Sequence, residues 1–230
     1  NLKLMQGEGG TWSEWGAAGA LKKMFWTELT QAKYDLRRSL GDLGHGDDTE
    51  VFHICDLEYR VSGFHDGLVR YGLIKTTGQA DGYRILKVKM AYYAIQNAVS
   101  VFNDRLECLD HRTTSVISGL KRGVVYDWRD RLSGVKVVVF WDAEAMPMDD
   151  NVIKSVDIRI DQAGISNPVW CDVLTGDVYE IPAENVTKDG SAQVFRVPAY
   201  DSPTFITDRS ILAVEKSWYV RCLENQSQVK

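Results

Sequence analysis

The hydrophobic pattern of this chain changes its period near residue 110, and that change limits what the chain can fold into. Before it, apolar runs alternate with helical periodicity. Leu2, Leu4 and Met5 open a strand that stops on Gly7-Glu8-Gly9-Gly10. Residues 27–43 repeat Leu29, Ala32, Leu36, Leu40 and Leu43 at helical spacing, with Thr27 placed to cap the helix and Glu28 at its positive end. Gly41, Gly44 and Gly46 end that pattern. Residues 50–59 are a near-continuous apolar run, the signature of a strand buried on both faces of a parallel sheet; His53 and Asp56 are its polar exceptions. A glycine-rich loop over 60–85 leads to a second helix over 88–106, with Tyr92, Ile95, Val99, Phe102 and Leu106 on one face. Strand–helix alternation of this kind predicts α/β structure with parallel strands.

After residue 110 the runs are short: 114–120, 124–128, 135–141, 156–160, 169–173, 178–181, 194–197 and 204–207. Ser133-Gly134, Thr175-Gly176 and Asp189-Gly190 punctuate them, and residues 168–182 read as a hairpin turning at Thr175-Gly176. Many short strands with regular turns predict an antiparallel β-sandwich. The expected organisation is α/β plus all-β: a first part over 1–108, a sandwich over 109–214 and a polar tail over 215–230.

Composition narrows the function. Hydrophobic residues make up 44% of the 230, enough for a sizeable core. The net charge of −5 leaves no basic stripe for phosphates, so no nucleic-acid partner is expected. Cys55, Cys108, Cys171 and Cys222 form no C-x-x-C unit, which argues against zinc; one disulfide stays open, and Cys55 reads as a buried thiol. No apolar run is long enough to span a membrane, and no signal peptide is visible. The chain opens inside a strand without an initiator Met, as a fragment or a processed chain would.

The candidate chemistry gathers at the first strand's end. Glu8, flanked by glycines and followed by Trp12 and Trp15, suits sugar chemistry: a carboxylate acts at the anomeric carbon while indole rings stack on the apolar sugar face. An ordinary surface Glu is the competing reading. A phosphate loop does not fit, since the P-loop pattern is missing and Glu8 would repel phosphate. His53 could bind a sugar hydroxyl, orient Glu8, or be a satisfied core histidine. Asp56 or Glu58 could bond a hydroxyl, but pairing with Arg60 or Arg70 is favoured. His65 and Asp66 read as solvated loop residues, and Asp142, Glu144, Asp149 and Asp150 as a solvated acidic edge rather than a calcium site. Trp26 reads as core.

Taken in order, these stretches resemble the C-terminal part of a clan A retaining glycoside hydrolase, a (β/α)8 barrel followed by an accessory β-sandwich. The residues that carry the likeness are Gln6-Gly7-Glu8 at a strand end and Thr27-Glu28-Leu29-Thr30-Gln31-Ala32. The run 51–59 and the helix start from Lys89-Met90-Ala91-Tyr92-Tyr93-Ala94-Ile95-Gln96-Asn97 add to it, as do Pro168-Val169-Trp170-Cys171-Asp172 and residues 198–208. The resemblance implies that residues 2–8 are barrel strand seven, residues 50–59 strand eight, and Glu8 the nucleophile. It implies Trp12, Trp15, His53 and Asp56 as substrate-binding residues, a carbohydrate substrate, no cofactor, and secreted or periplasmic placement. Two departures stand out. Strand eight of such enzymes often carries a Trp, and none is present here. Six strands and the general acid/base Glu of strand four lie outside the chain, so it is expected to be inactive alone and to need the N-terminal part of the barrel, from the same protein or a separate chain. A non-catalytic carbohydrate-binding or structural module is the alternative.

Overall fold

The computed structural model describes residues 4–16, 22–61, 65–109 and 115–212. Among them are two α-helices and sixteen strands in five sheets, none of which closes into a barrel. Leu2, Gly19, Thr114, Cys222 and the expected tail 215–230 lie outside the described residues, as do the side chains of Arg60, His65 and Asp66.

The chain begins with β1 (Met5–Gly9), crosses through α1 (Glu28–Gly44) and returns in β2 (Asp48–Val51), which pairs parallel with β1. Thr27 caps α1 as its sequence implies. Its hydroxyl accepts from the Thr30 N–H (3.2 Å), and its own N–H donates to the Thr30 hydroxyl (2.8 Å), satisfying two otherwise orphaned groups. Ala32, Leu36 and Leu40 are fully buried on the inner face of α1.

The run 50–59 is not one strand. It breaks after Val51; the Phe52–His53 peptide is cis, Cys55 makes an isolated bridge to Ile74, and β3 (Leu57–Val61) follows. Between the two strands Asp56 is buried, and its carboxylate accepts from the Gly72 N–H at 3.0 Å. Nor is 60–85 an irregular loop. It holds the hairpin of β3 with β4 (His65–Val69) and the antiparallel pair of β5 (Ile74–Thr76) with β6 (Ile85–Val88), with a short 3-10 turn at Gln79–Asp81 between them. The second helix, α2 (Met90–Val101), is shorter than expected because Val88 ends β6 and Leu106 starts β7 (Leu106–Cys108). The two helices pack against each other.

The remaining strands are β8 (Val116–Ser118), β9 (Gly123–Asp130), β10 (Lys136–Asp142), β11 (Lys154–Asp161), β12 (Pro168–Asp172), β13 (Val178–Glu180), β14 (Val186–Asp189), β15 (Ala192–Ala199) and β16 (Thr204–Asp208). Each of the eight expected runs falls on one of them. They form a six-stranded sheet, β13-β12-β16-β10-β9-β7, and a four-stranded one, β14-β15-β11-β8, antiparallel throughout. One core serves both sheets and the helices. Central β10 is buried along its whole length, whereas β11 buries only alternate residues, Val156, Ile158 and Ile160.

Polar contacts fasten α1 to this sandwich. Lys33, with no exposed surface, donates to Asp201 (2.6 Å) and to the Met148 carbonyl (3.0 Å), and Arg37 reaches the Ala145 carbonyl (3.0 Å). No helix among the described residues is long and apolar enough to cross a membrane.

Candidate functional site

Glu8 sits next to last in β1, exposed and without an ion pair among the described residues. The glycines after it fix its position. The Phe52 N–H donates to the Gly9 carbonyl (2.7 Å), so the carboxyl ends of β1 and β2 are held together. Gly10 has to be glycine at this seam, because a Cβ there would stand 1.8 Å from the Phe52 carbonyl oxygen. The segments that leave β1 and β2 therefore start side by side, and they carry Trp12 and Trp15 on one and His53 on the other. The register shifts between Gln6 and Gly9, opposite the exposed Glu50 of β2, a carboxylate the sequence pattern did not single out.

The two tryptophans part company. Trp12 is 3% exposed and packs edge-on against Tyr71 (ring centroids 5.1 Å), in a small core with Trp26 and Val69, so it does not line a surface. Trp15 is 73% exposed beside the equally open Phe25, ring centroids 6.3 Å apart, and these two make an aromatic shelf. Phe25 was not legible as a site residue, since it reaches Trp15 only through the turn ahead of α1.

His53 is half-buried between the Phe52 ring (4.3 Å) and the Tyr71 ring (6.4 Å). Its Nε2 is buried and has no hydrogen-bond partner among the described residues. Burial pushes its pKa below the usual histidine value, opposed by the Cys55 backbone and the Asp56 charge, so the ring is neutral at pH 7.

Asp56 is 1% exposed and faces away from solvent. Its carboxylate accepts from Lys89 (2.7 Å), Arg70 (3.0 Å) and the Gly72 N–H (3.0 Å). The expected pairing with Arg70 is present, and contact with a sugar hydroxyl is not open to a carboxylate so enclosed. Arg70 extends the network: its Nε donates to Glu14 (2.8 Å), and its carbonyl accepts from the Ser13 N–H (3.2 Å) and hydroxyl (3.1 Å). Lys75 holds the other Glu14 oxygen at 2.9 Å. Burial works to raise the Glu14 pKa, but Lys75 and Arg70 prevail and hold it below the usual value. Asp56 thus acts through Arg70 on the loop that presents Trp15. Glu14 and Lys89 escaped sequence reasoning because their partners lie 56 and 33 residues away.

A second set of buried polar groups lies behind this loop. Gln31 of α1 donates to the Thr11 and Tyr71 carbonyls, both at 3.0 Å. Asp35, one turn further on, has no partner for either oxygen among the described residues, and burial raises its pKa well above the usual carboxylate range. The acidic edge is engaged in pairing: Asp142 with Lys154 (2.6 Å), Glu144 with Lys121 (2.9 Å), and Asp149 with the Thr27 hydroxyl (2.5 Å). No group of three or more acidic, His or Cys side chains among the described residues is arranged to hold a metal.

No family model matches the chain, and no curated protein or solved structure matches it either.

Proposed function

We propose that this chain is the C-terminal part of a retaining glycoside hydrolase in which Glu8 is the nucleophile. One observation carries the reading: an exposed carboxylate at the carboxyl end of a parallel β–α–β unit, pinned to the neighbouring strand end, with an open aromatic shelf on the loop that follows it. A two-stranded parallel sheet with Met5 62% exposed also suits completion by further strands, since parallel strands are ordinarily covered on both faces.

In this mechanism the Glu8 carboxylate attacks the anomeric carbon while a second carboxyl protonates the departing oxygen. Water, deprotonated by that same second group, then releases the glycosyl ester and restores Glu8. The two carboxyls must stand about 5–5.5 Å apart, and the second comes from barrel strands beyond residues 1–230. The Trp15–Phe25 shelf stacks the sugar, and His53, with its Nε2 buried, packs between Phe52 and Tyr71. Asp56 positions the Trp15 loop.

The test is a 2-deoxy-2-fluoro glycosyl fluoride applied to the complete enzyme, followed by peptide mass mapping. The label is expected on the peptide containing Glu8, and Glu8→Gln should lower turnover by several orders of magnitude. Glu50→Gln serves as the control and should leave most activity. Label on another carboxylate, or Glu8→Gln within tenfold of wild type, would reject the assignment.

A further inference from the structure

The sandwich carries a cavity of its own, of about 380 Å³, on the flank where β13 of the larger sheet faces β15 of the smaller one. That volume lies within the roughly 300–1,000 Å³ usual for small-ligand sites. Its wall is a cross-strand aromatic pair, Trp170 of β12 and Tyr179 of β13, with ring centroids 5.7 Å apart. The Trp170 indole N–H is committed to the Pro198 carbonyl at 3.0 Å, which locks that ring in place across the two sheets. Tyr179 stays 55% exposed, tilted 44° to the Trp170 ring, with a hydroxyl that bonds nothing among the described residues. At the inner end the Tyr200 hydroxyl donates to the Asp172 carboxylate at 2.8 Å, so that charge is met from within the protein.

The rim decides the ligand's charge. Arg196 is held by Asp157 through two hydrogen bonds (2.9 and 3.4 Å), and Glu180 faces Arg209 at 3.5 Å. Each charge at the mouth has its counter-ion already, so the cavity calls for neither an anion nor a cation. What remains open are neutral amide groups: Asn151 and Asn185 line the mouth, and neither side chain is hydrogen-bonded among the described residues. An exposed aromatic ring backed by a fixed indole and bordered by neutral amide groups matches a pyranose ring, apolar on its faces and hydroxylated around its edge. A lipid chain would make no use of the amides at the mouth, and a charged ligand would have to compete with built-in ion pairs.

We infer that this flank of the β-sandwich is a binding site for a neutral oligosaccharide, separate from Glu8 and independent of whether Glu8 is catalytic. Tyr179 supplies the stacking face, and Asn151 and Asn185 supply hydroxyl contacts.

The test is titration calorimetry of the full 230-residue chain with four neutral hexasaccharides (β-1,4-glucan, β-1,4-xylan, β-1,4-mannan and β-1,3-glucan), with hexagalacturonate as the charged control. At least one neutral ligand is expected to bind, and hexagalacturonate is not. Tyr179→Ala should weaken that binding at least tenfold, and Asn185→Ala measurably. Melting curves of the variants guard against misfolding, and Asn185→Ala carries the test if Tyr179→Ala does not fold. No binding of any neutral hexasaccharide up to about 5 mM would overturn the inference. So would wild-type affinity in folded Tyr179→Ala, or binding that disappears in Trp15→Ala and survives in Tyr179→Ala. Preferential capture of hexagalacturonate would also overturn it.

Discussion

Lys89 donates to Asp56 across 2.7 Å, and neither side chain has any exposed surface. The pair joins the residue that starts α2 to the segment where the apolar run after β2 breaks. Arg70 takes the other Asp56 oxygen and passes the connection to Glu14 and the Trp15 loop. Burial pulls the Lys89 pKa below the usual lysine value, and the Asp56 contact pulls it back up. Burying the two charges costs desolvation energy that their attraction offsets, and taking one partner away leaves the other charge buried and uncompensated.

Asp56→Asn therefore leaves Lys89 enclosed with its anion missing, and should destabilise the chain by about 3–5 kcal/mol. Glu14→Gln, whose side chain is 41% exposed, should cost no more than about 1 kcal/mol. Urea denaturation of both variants checks the contrast. An Asp56→Asn midpoint equal to that of Glu14→Gln would show that the network is not what holds this segment.

Much of this was legible from local pattern. The sandwich strands announced themselves through alternation and through glycine turns such as Thr175-Gly176, and α1 through its cap and its leucine spacing. Long-range partners were not legible. Residues 50–59 look like one strand because their apolar content is continuous; the Arg70 and Lys89 partners that Asp56 meets in the break are distant in sequence. Trp12 and Trp15 share a loop and look equivalent, yet Tyr71 and Trp26 cover the first and leave the second open. β7 was hidden in the expected end of α2, and β14 (Val186–Asp189) is too short and polar to show an alternation.

The burial difference between those tryptophans separates stability from binding. Trp12→Ala should cost about 3–5 kcal/mol in thermal or chemical unfolding, as removal of a core indole does. Trp15→Ala should change stability by less than about 0.5 kcal/mol. On the proposed function it should also raise KM in the complete protein by roughly tenfold, through loss of a stacking surface worth about 1–2 kcal/mol. Equal stability losses in both variants would mean that Trp15 is covered in solution.

Asp130, at the end of β9, gives the fold an acid-sensitive joint. The Arg105 guanidinium, helped against burial by the Ser133 hydroxyl and N–H, lowers its pKa from 3.8 to about 2. A depressed folded-state pKa contributes stability that is complete above the unfolded value and disappears as pH falls through the folded one. The contribution should therefore be lost between about pH 4 and pH 2. Subtracting the pH–stability curve of Asp130→Asn from that of wild type should show a difference that is flat above about pH 5 and shrinks across that window. A difference independent of pH from 5 to 2 would contradict the assignment.

Lys33 should govern how α1 holds to the sandwich. Its ammonium lies 5.5 Å above the Tyr200 ring and is bonded by Asp201, which also accepts from the Met148 N–H at 2.7 Å. Lys33→Met removes the cation and leaves Asp201 facing two carbonyls, at a cost of about 3–5 kcal/mol. The pairing of Lys33→Met with Asp201→Asn should recover part of that loss. Additive losses in the double variant would show that the two side chains do not interact.

The seam between β1 and β2 is tested by a pair of glycines three residues apart. A Cβ at Gly7 meets nothing within 4 Å, whereas one at Gly10 would stand 1.8 Å from the Phe52 carbonyl oxygen, backbone that has no flexible end to give way. Gly7→Ala should leave stability within about 0.5 kcal/mol of wild type. Gly10→Ala has to push the carboxyl ends of the two strands apart, at a cost of about 1–3 kcal/mol from overpacking. Because Glu8 lies two residues before the seam, that shift should reach its carboxylate as well. On the proposed function, Gly10→Ala in the complete protein should lower kcat more than it raises KM, since a misplaced Glu8 would lose the reaction geometry rather than the ligand. Amide exchange supplies the structural readout: the Phe52 N–H, protected by its bond to the Gly9 carbonyl, should exchange faster in Gly10→Ala and unchanged in Gly7→Ala. If Phe52 stays protected in Gly10→Ala and kcat holds, the strand ends tolerate the methyl group and the seam does not set the position of Glu8.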